Sequence, residues 1–151
     1  MLLTNSGLLH WHGIITPSFK NSVPSFKAFV VLESPFTVKE SIDRLVILLQ
    51  RYDMIVYARI NRQIEAKWYG RATRPLEFIL FDDPNLTAPL VEENPLLSLC
   101  FPMRIIAWED EIGRCRISYK DPLVALKEFQ LSTEGFDWPD LRSLIFRALI
   151  E

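Results

Sequence analysis

The sequence predicts a two-layer α+β fold: an antiparallel sheet of about four or five strands with helices packed on one face, in the order β-α-β-β-α-β-β-α. Three observations predict it. Lys27-Ala28-Phe29-Val30-Val31-Leu32 is a nearly unbroken apolar run of strand length. Thr37 and Glu40 stand at the spacing of a capping box, followed by Ile42, Leu45, Val46 and Leu49 at helical intervals. Residues 103–120 alternate twice around Glu111-Ile112-Gly113, as a hairpin does.

Residues 1–24 contain Gly7, Gly13, Pro17, Asn21 and Pro24, which break any periodicity. They are expected to form an irregular arm, with one short strand near Leu8–Ile15. The core domain spans residues 25–129, and residues 130–151 add a loop and an amphipathic helix to it. A first strand begins near Phe26. The helix capped by Thr37 should end near Tyr52-Asp53.

Ile55 to Ile60 follows as a strand, with Val56, Ala58 and Ile60 expected on one face and Tyr57 and Arg59 on the other. Gln63 to Tyr69 reads as a short helix ended by Gly70. Leu76 to Phe81 is a strand closed by Asp82-Asp83-Pro84. A helix from about Thr87 to Cys100 must kink or split at Pro95, which lacks the donor that a helix interior needs.

In the hairpin, Gly113 supplies the positive φ of a bulged turn. That register sets Trp108 opposite Arg116, Ile106 opposite Ser118 and Arg104 opposite Lys120. Ile105, Ala107, Cys115, Ile117 and Tyr119 then share the core face. A slip of one residue would bury Arg114 and Arg116. Asp121 caps a short helix that runs from Leu123 to Phe129. Pro139 starts the C-terminal helix, whose apolar residues are Leu141, Leu144, Ile145 and Leu149. The expected core is Phe29, Val31, Ile42, Leu45, Leu49, Val56, Ile60, Phe78, Leu80, Leu97, Ile105, Ile117 and Tyr119, with Leu144.

The 151 residues carry a formal net charge of −2, which gives no global attraction for nucleic acid or an anionic membrane. A local basic face remains compatible with that balance. The opening residues lack a secretory pattern, and no apolar run reaches the length of a membrane span. Cys100 and Cys115, the only two cysteines, fit reduced thiols in the cytoplasm.

Leu80-Phe81-Asp82-Asp83-Pro84, Ala88-Pro89-Leu90, Asn94-Pro95, Phe101-Pro102-Met103-Arg104, Trp108-Glu109-Asp110, Gly113 and Tyr119-Lys120-Asp121-Pro122 follow one another in an order that resembles the bacterial and archaeal family called domain of unknown function 302. The resemblance spans roughly residues 26–129. It implies a fold similar to one repeat of the TATA-box-binding protein and a tendency to homodimerise, and it implies no established activity. The family usually has Phe-Gly-Asn-Pro before the helix and Gly-Thr-Pro at its start. Here Asp82 and Thr87 replace those glycines, so a backbone cradle for phosphate is not expected.

Candidate sites divide by face. His10 and His12 would share one face of a strand, but no further histidine exists to complete a metal site, so neither metal nor cofactor is expected. Cys115, on the apolar face, reads as a small hydrophobe rather than a nucleophile. Arg74, Arg104, Glu109 and Tyr119 are expected to converge at strand ends around a small anionic or aromatic ligand, with arginine supplying planar recognition of an anion. Tyr57, Arg59, Trp108 and Arg116 are expected to form an aromatic and basic sheet face suited to an interface.

The expected function is a non-catalytic homodimeric module for ligand binding or interaction, without a membrane partner. One alternative is a small enzyme using Glu109 as general base with an arginine partner. Another is a nucleic-acid binder that uses the sheet face, which the acidic balance disfavours.

Overall fold

The computed structural model describes residues 28–150, so the expected arm of residues 1–24, with His10 and His12, lies outside the described residues. Five strands and five helices follow in chain order: β1 (Phe29–Ser34), α1 (Val38–Arg51), β2 (Ile55–Asn61), α2 (Arg62–Trp68), β3 (Leu76–Asp82), α3 (Pro84–Glu93), β4 (Met103–Glu109), β5 (Cys115–Lys120), α4 (Pro122–Glu128) and α5 (Leu141–Ile150). A 3-10 turn, Pro95–Leu99, follows α3. The sheet order is β1-β5-β4-β3-β2, antiparallel throughout.

Local chemistry accounts for the element ends. Thr37 accepts the Glu40 amide at 3.2 Å, and Glu40 accepts the Thr37 amide at 3.1 Å, so the capping box of α1 closes both ways. Ile42, Leu45 and Leu49 are fully buried beneath it, each contributing about 2 kcal/mol relative to exposure. The helix expected over 87–100 divides at Asn94. This residue ends α3 and then caps the 3-10 turn, its side chain accepting from the Leu96 amide at 3.1 Å. Asp121 caps α4 through the Leu123 amide at 2.9 Å.

The hairpin has the expected register: Trp108 lies opposite Arg116, Ile106 opposite Ser118, and Gly113 has φ +79°. α5 packs on α1 of its own domain. Leu141, Leu144, Ile145 and Leu149 are buried there, and Arg44 donates to the Ala148 carbonyl at 3.2 Å.

Two strands run in the opposite phase from that expected. Phe29 and Val31 are exposed, while Val30, Leu32 and Ser34 turn toward the helices. In β3, Glu77, Ile79 and Phe81 are buried on the helix side, leaving Phe78 and Leu80 half-buried on the face that the helices leave open. Both segments are apolar at consecutive positions, so alternation could not distinguish their faces.

A bulge at Tyr57 corrects a third expectation. Val56 pairs with Phe81, but Ala58 pairs with Leu80, Arg59 with Ile79 and Ile60 with Phe78. The extra residue reverses the faces beyond it. Arg59 therefore turns to the helix side, and Ile60 turns to the uncovered side.

Candidate functional site: the open sheet face

With helices over one face, the other presents rows of side chains set by strand register. Val31, Ser118, Ile106, Phe78 and Ile60 follow one another across all five strands. Glu33, Arg116, Trp108 and Leu76 make the row beside it. On the other side of the central row lie Phe29, Lys120, Arg104, Leu80 and Ala58. Such a run of apolar side chains, with no described helix over it, marks a binding or association surface.

At the Phe29–Arg104 end this face deepens into a groove of about 520 Å³. Phe29, Leu80, Ile106 and Ser118 line its sheet side, and the segment Ser98–Pro102 forms a wall. The Asn94 cap and the following 3-10 turn position that wall. Arg104 and Lys120 stand in the groove on neighbouring strands. Lys120 is held by Glu128 at 2.6 Å. Arg104 makes no ion pair among the described residues, and its guanidinium carbon lies 5.4 Å from the centre of the Phe78 ring. An exposed cation over an aromatic surface, beside a second cation, is suited to an anion with an apolar body.

The four residues expected to converge on a ligand are divided. Arg104 is the second residue of β4 and Glu109 its last, roughly 17 Å apart at strand rise. Arg74 lies at the Glu109 end, where the Glu109 amide donates to the Pro75 carbonyl at 3.0 Å. Neither Arg71 nor Arg74 pairs with Glu109 among the described residues.

Tyr119 borders the groove, but its ring is buried on the helix side of the sheet. There it also lines a cavity of about 240 Å³ with Asp121, Trp138 and Asp140. Burial, reinforced by the charges of Asp121 and Asp140, pushes its phenol up to about 12. Glu109 and Arg104 thus lie on opposite faces and at opposite ends, an arrangement that does not join a base to an electrophile.

Of the expected interface residues, Trp108 and Arg116 lie on the open face, and Tyr57 is exposed at the bulge. Arg116 is fixed by Asp110 at 2.9 Å and Glu33 at 3.0 Å.

Sequence reasoning missed a charged cluster on the helix side. Glu77 is only 6% exposed; it accepts from Arg59 at 2.7 Å and from Asn61 at 3.2 Å. Arg59 also pairs with Asp43 of α1. Lys39 and then Arg59 hold the Asp43 carboxyl below its ordinary value. The cluster is satisfied on every side and ties α1 to the sheet, which is a structural role. The signal that could have found it was Glu77, a lone acid in an apolar strand.

Ser34, Ser41 and Cys115 form a buried polar chain, with the hydroxyls 2.7 Å apart and the Ser41 oxygen 3.5 Å from sulfur. Burial pushes the Cys115 thiol up, away from nucleophilic chemistry.

These features define a two-layer α+β domain whose sheet, on the face that the described helices leave open, carries a cationic, apolar-floored groove. The chain belongs to the family described as Domain of unknown function DUF302, whose profile matches residues 30–138. A protein of that family from Bacillus stearothermophilus superposes with a TM-score of 0.68 at 15% identity, over 82% of this chain and 97% of its own, which establishes likeness of fold.

Curated relatives named fluoride-specific ion channel FluC 1, from Brucella suis and Brucella abortus, are each 31% identical over 93 residues. The matched segment is 62% of this chain but spans only 37% and 34% of those relatives. Among the described residues no helix is long and apolar enough to cross a membrane.

Proposed function

We propose that this chain is a non-catalytic binding module whose open sheet face takes a small anionic molecule with an apolar or aromatic body. Arg104 carries the reading: it is an exposed guanidinium without a carboxylate partner among the described residues, set over Phe78 in a groove floored by Leu80 and Ile106. Arginine gives planar recognition of carboxylate or phosphate, and the floor gives the rest of the ligand an apolar surface. The free thiols of Cys100 and Cys115 suit a cytoplasmic setting. In the longer channel relatives the matching segment would serve as an attached binding domain. The test uses 8-anilinonaphthalene-1-sulfonate, an aromatic anion: its fluorescence should rise on binding, and Arg104→Ala should weaken binding about tenfold. Equal binding by the variant would overturn the reading.

The same face also favours a homodimer. Phe29, 49% exposed, and Val31 continue the central apolar rows to the sheet edge, and burying them against a second copy would remove a large apolar surface from water. Light scattering on the intact protein and on Trp108→Glu tests this. A dimer that becomes a folded monomer supports pairing through the face, and a monomer in both cases rejects it.

A further inference from the structure

We infer that the end of the molecule opposite the groove is an interfacial knob that docks on an anionic phospholipid surface, formed by α2 and the loop that follows it. Helix α2 buries no residue at all. Ile64 and Trp68 are spaced four residues apart, on one face of the helix. That face is turned to water: Trp68 is 75% exposed, and Tyr69 beside it is 82% exposed.

The shape is held rather than loose. Asn61 caps the helix through the Ile64 amide at 3.0 Å. At the other end, Gly70, with φ +70°, donates to Lys67 at 3.0 Å and Arg71 donates to Ala66 at 2.9 Å, closing the helix with a left-handed glycine. Gln63 then donates to the Thr73 carbonyl at 2.9 Å and ties the loop back onto the helix. An ordered loop that displays a tryptophan and a tyrosine to water is surface kept for contact.

Charge selects the partner. From Arg62 to Leu76 the cations are Arg62, Lys67, Arg71 and Arg74, against one acid, Glu65. Arg62 already holds Glu65 at 2.7 Å. Lys67, Arg71 and Arg74 are exposed and form no ion pair among the described residues.

Tryptophan and tyrosine favour the headgroup level of a bilayer, an aliphatic side chain inserts beside them, and lysine and arginine meet anionic lipid. A projecting knob of three apolar side chains offers less surface than a stable protein interface buries. Ile64, 46% exposed, adds an aliphatic side chain that offers no ring to stack on a base.

Vesicle flotation with the full chain tests the inference. The protein should float with vesicles containing phosphatidylserine and not with pure phosphatidylcholine, and added salt should release it. Replacing Trp68 and Tyr69 together by serine, or Arg71 and Arg74 together by glutamate, should lower partitioning at least about tenfold, since each surface cation is worth about fivefold. Far-UV circular dichroism and anilinonaphthalene binding in the groove should be unchanged, which separates this surface from the groove. Failure to float with either vesicle, or equal flotation by both variants, would overturn it. So would an absence of flotation accompanied by loss of oligonucleotide binding, or of self-association, in the same variants.

Discussion

Thr87 donates its hydroxyl to Asp82 at 2.7 Å, so the two positions where this chain departs from the glycines usual in its family are bonded to one another. Both residues are buried, Asp82 at 6% exposure. The other carboxylate oxygen, Oδ1, has no hydrogen-bond partner among the described residues. Desolvation raises the Asp82 carboxyl, the Thr87 hydroxyl and the Asp83 amide oppose that rise, and the charge of Asp83 adds to it. The helix start holds an internal acid in place of a backbone cradle for an anion.

Removing the donor should therefore be costly. Thr87→Val keeps the shape and should destabilise by about 1–3 kcal/mol in urea unfolding, because a buried carboxylate loses its side-chain partner. The pH dependence has a defined sign. A raised carboxyl favours folding below its ordinary 3.8 and loses that contribution as pH climbs through the raised value. The stability of Asp82→Asn minus that of the wild type should thus be more favourable at pH 7 than at pH 4. An unchanged difference would reject a raised Asp82.

Arg59→Ala should destabilise by about 2–3 kcal/mol, measured by thermal or urea unfolding. It leaves Glu77 buried without its guanidinium, although the partial exposure of Arg59 moderates the loss. Arg59→Lys should recover only part, since one ammonium cannot span Glu77 and Asp43 as a planar fork does. Asp43 adds a contribution of the opposite pH sense, present above 3.8 and lost as pH falls through its lowered value.

Tyr119 should remain un-ionised in an absorbance titration until about pH 12. A phenol raised in the folded state stabilises at lower pH, and that contribution disappears as pH rises through the folded value. Tyr119→Phe should abolish the late step.

Gly113→Ala should cost about 1 kcal/mol in unfolding experiments. The added methyl group would meet nothing within 4 Å, so the cost lies in the positive φ alone. Gly113→Asn, which tolerates the left-handed region better, should cost less.

The hairpin was legible because a short loop, a glycine and two strands of mixed polarity all enforce one register. The caps of α1 and α4 were legible because Thr37, Glu40 and Asp121 act within a few residues of themselves. Phe29-Val30-Val31-Leu32 and Phe78-Ile79-Leu80-Phe81 name strands but not faces. Their phase is set by pairing with β5 and β4, which no local pattern reveals.

The bulge at Tyr57 is equally silent in sequence, and it alone sent Arg59 to the helices. The expected ligand set failed to converge for a related reason: Arg104 and Glu109 are close in sequence but occupy the two ends of one extended strand. The placement of Arg104 beside Lys120 on neighbouring strands was legible, and it came from the hairpin register.

β1 begins the described residues, yet among them its only sheet neighbour is β5, with Phe29 opposite Lys120. The other strand pairs join consecutive segments, so β2 to β5 can assemble as the chain emerges from the ribosome. Within the five described strands, β1 must wait for residue 120 before it finds its partner, which makes that pairing the non-local step of assembling this sheet. Of the five described strands, the first made during synthesis is therefore the last to pair with another of them, and an interrupted chain leaves it as an adhesive edge for neighbouring nascent chains.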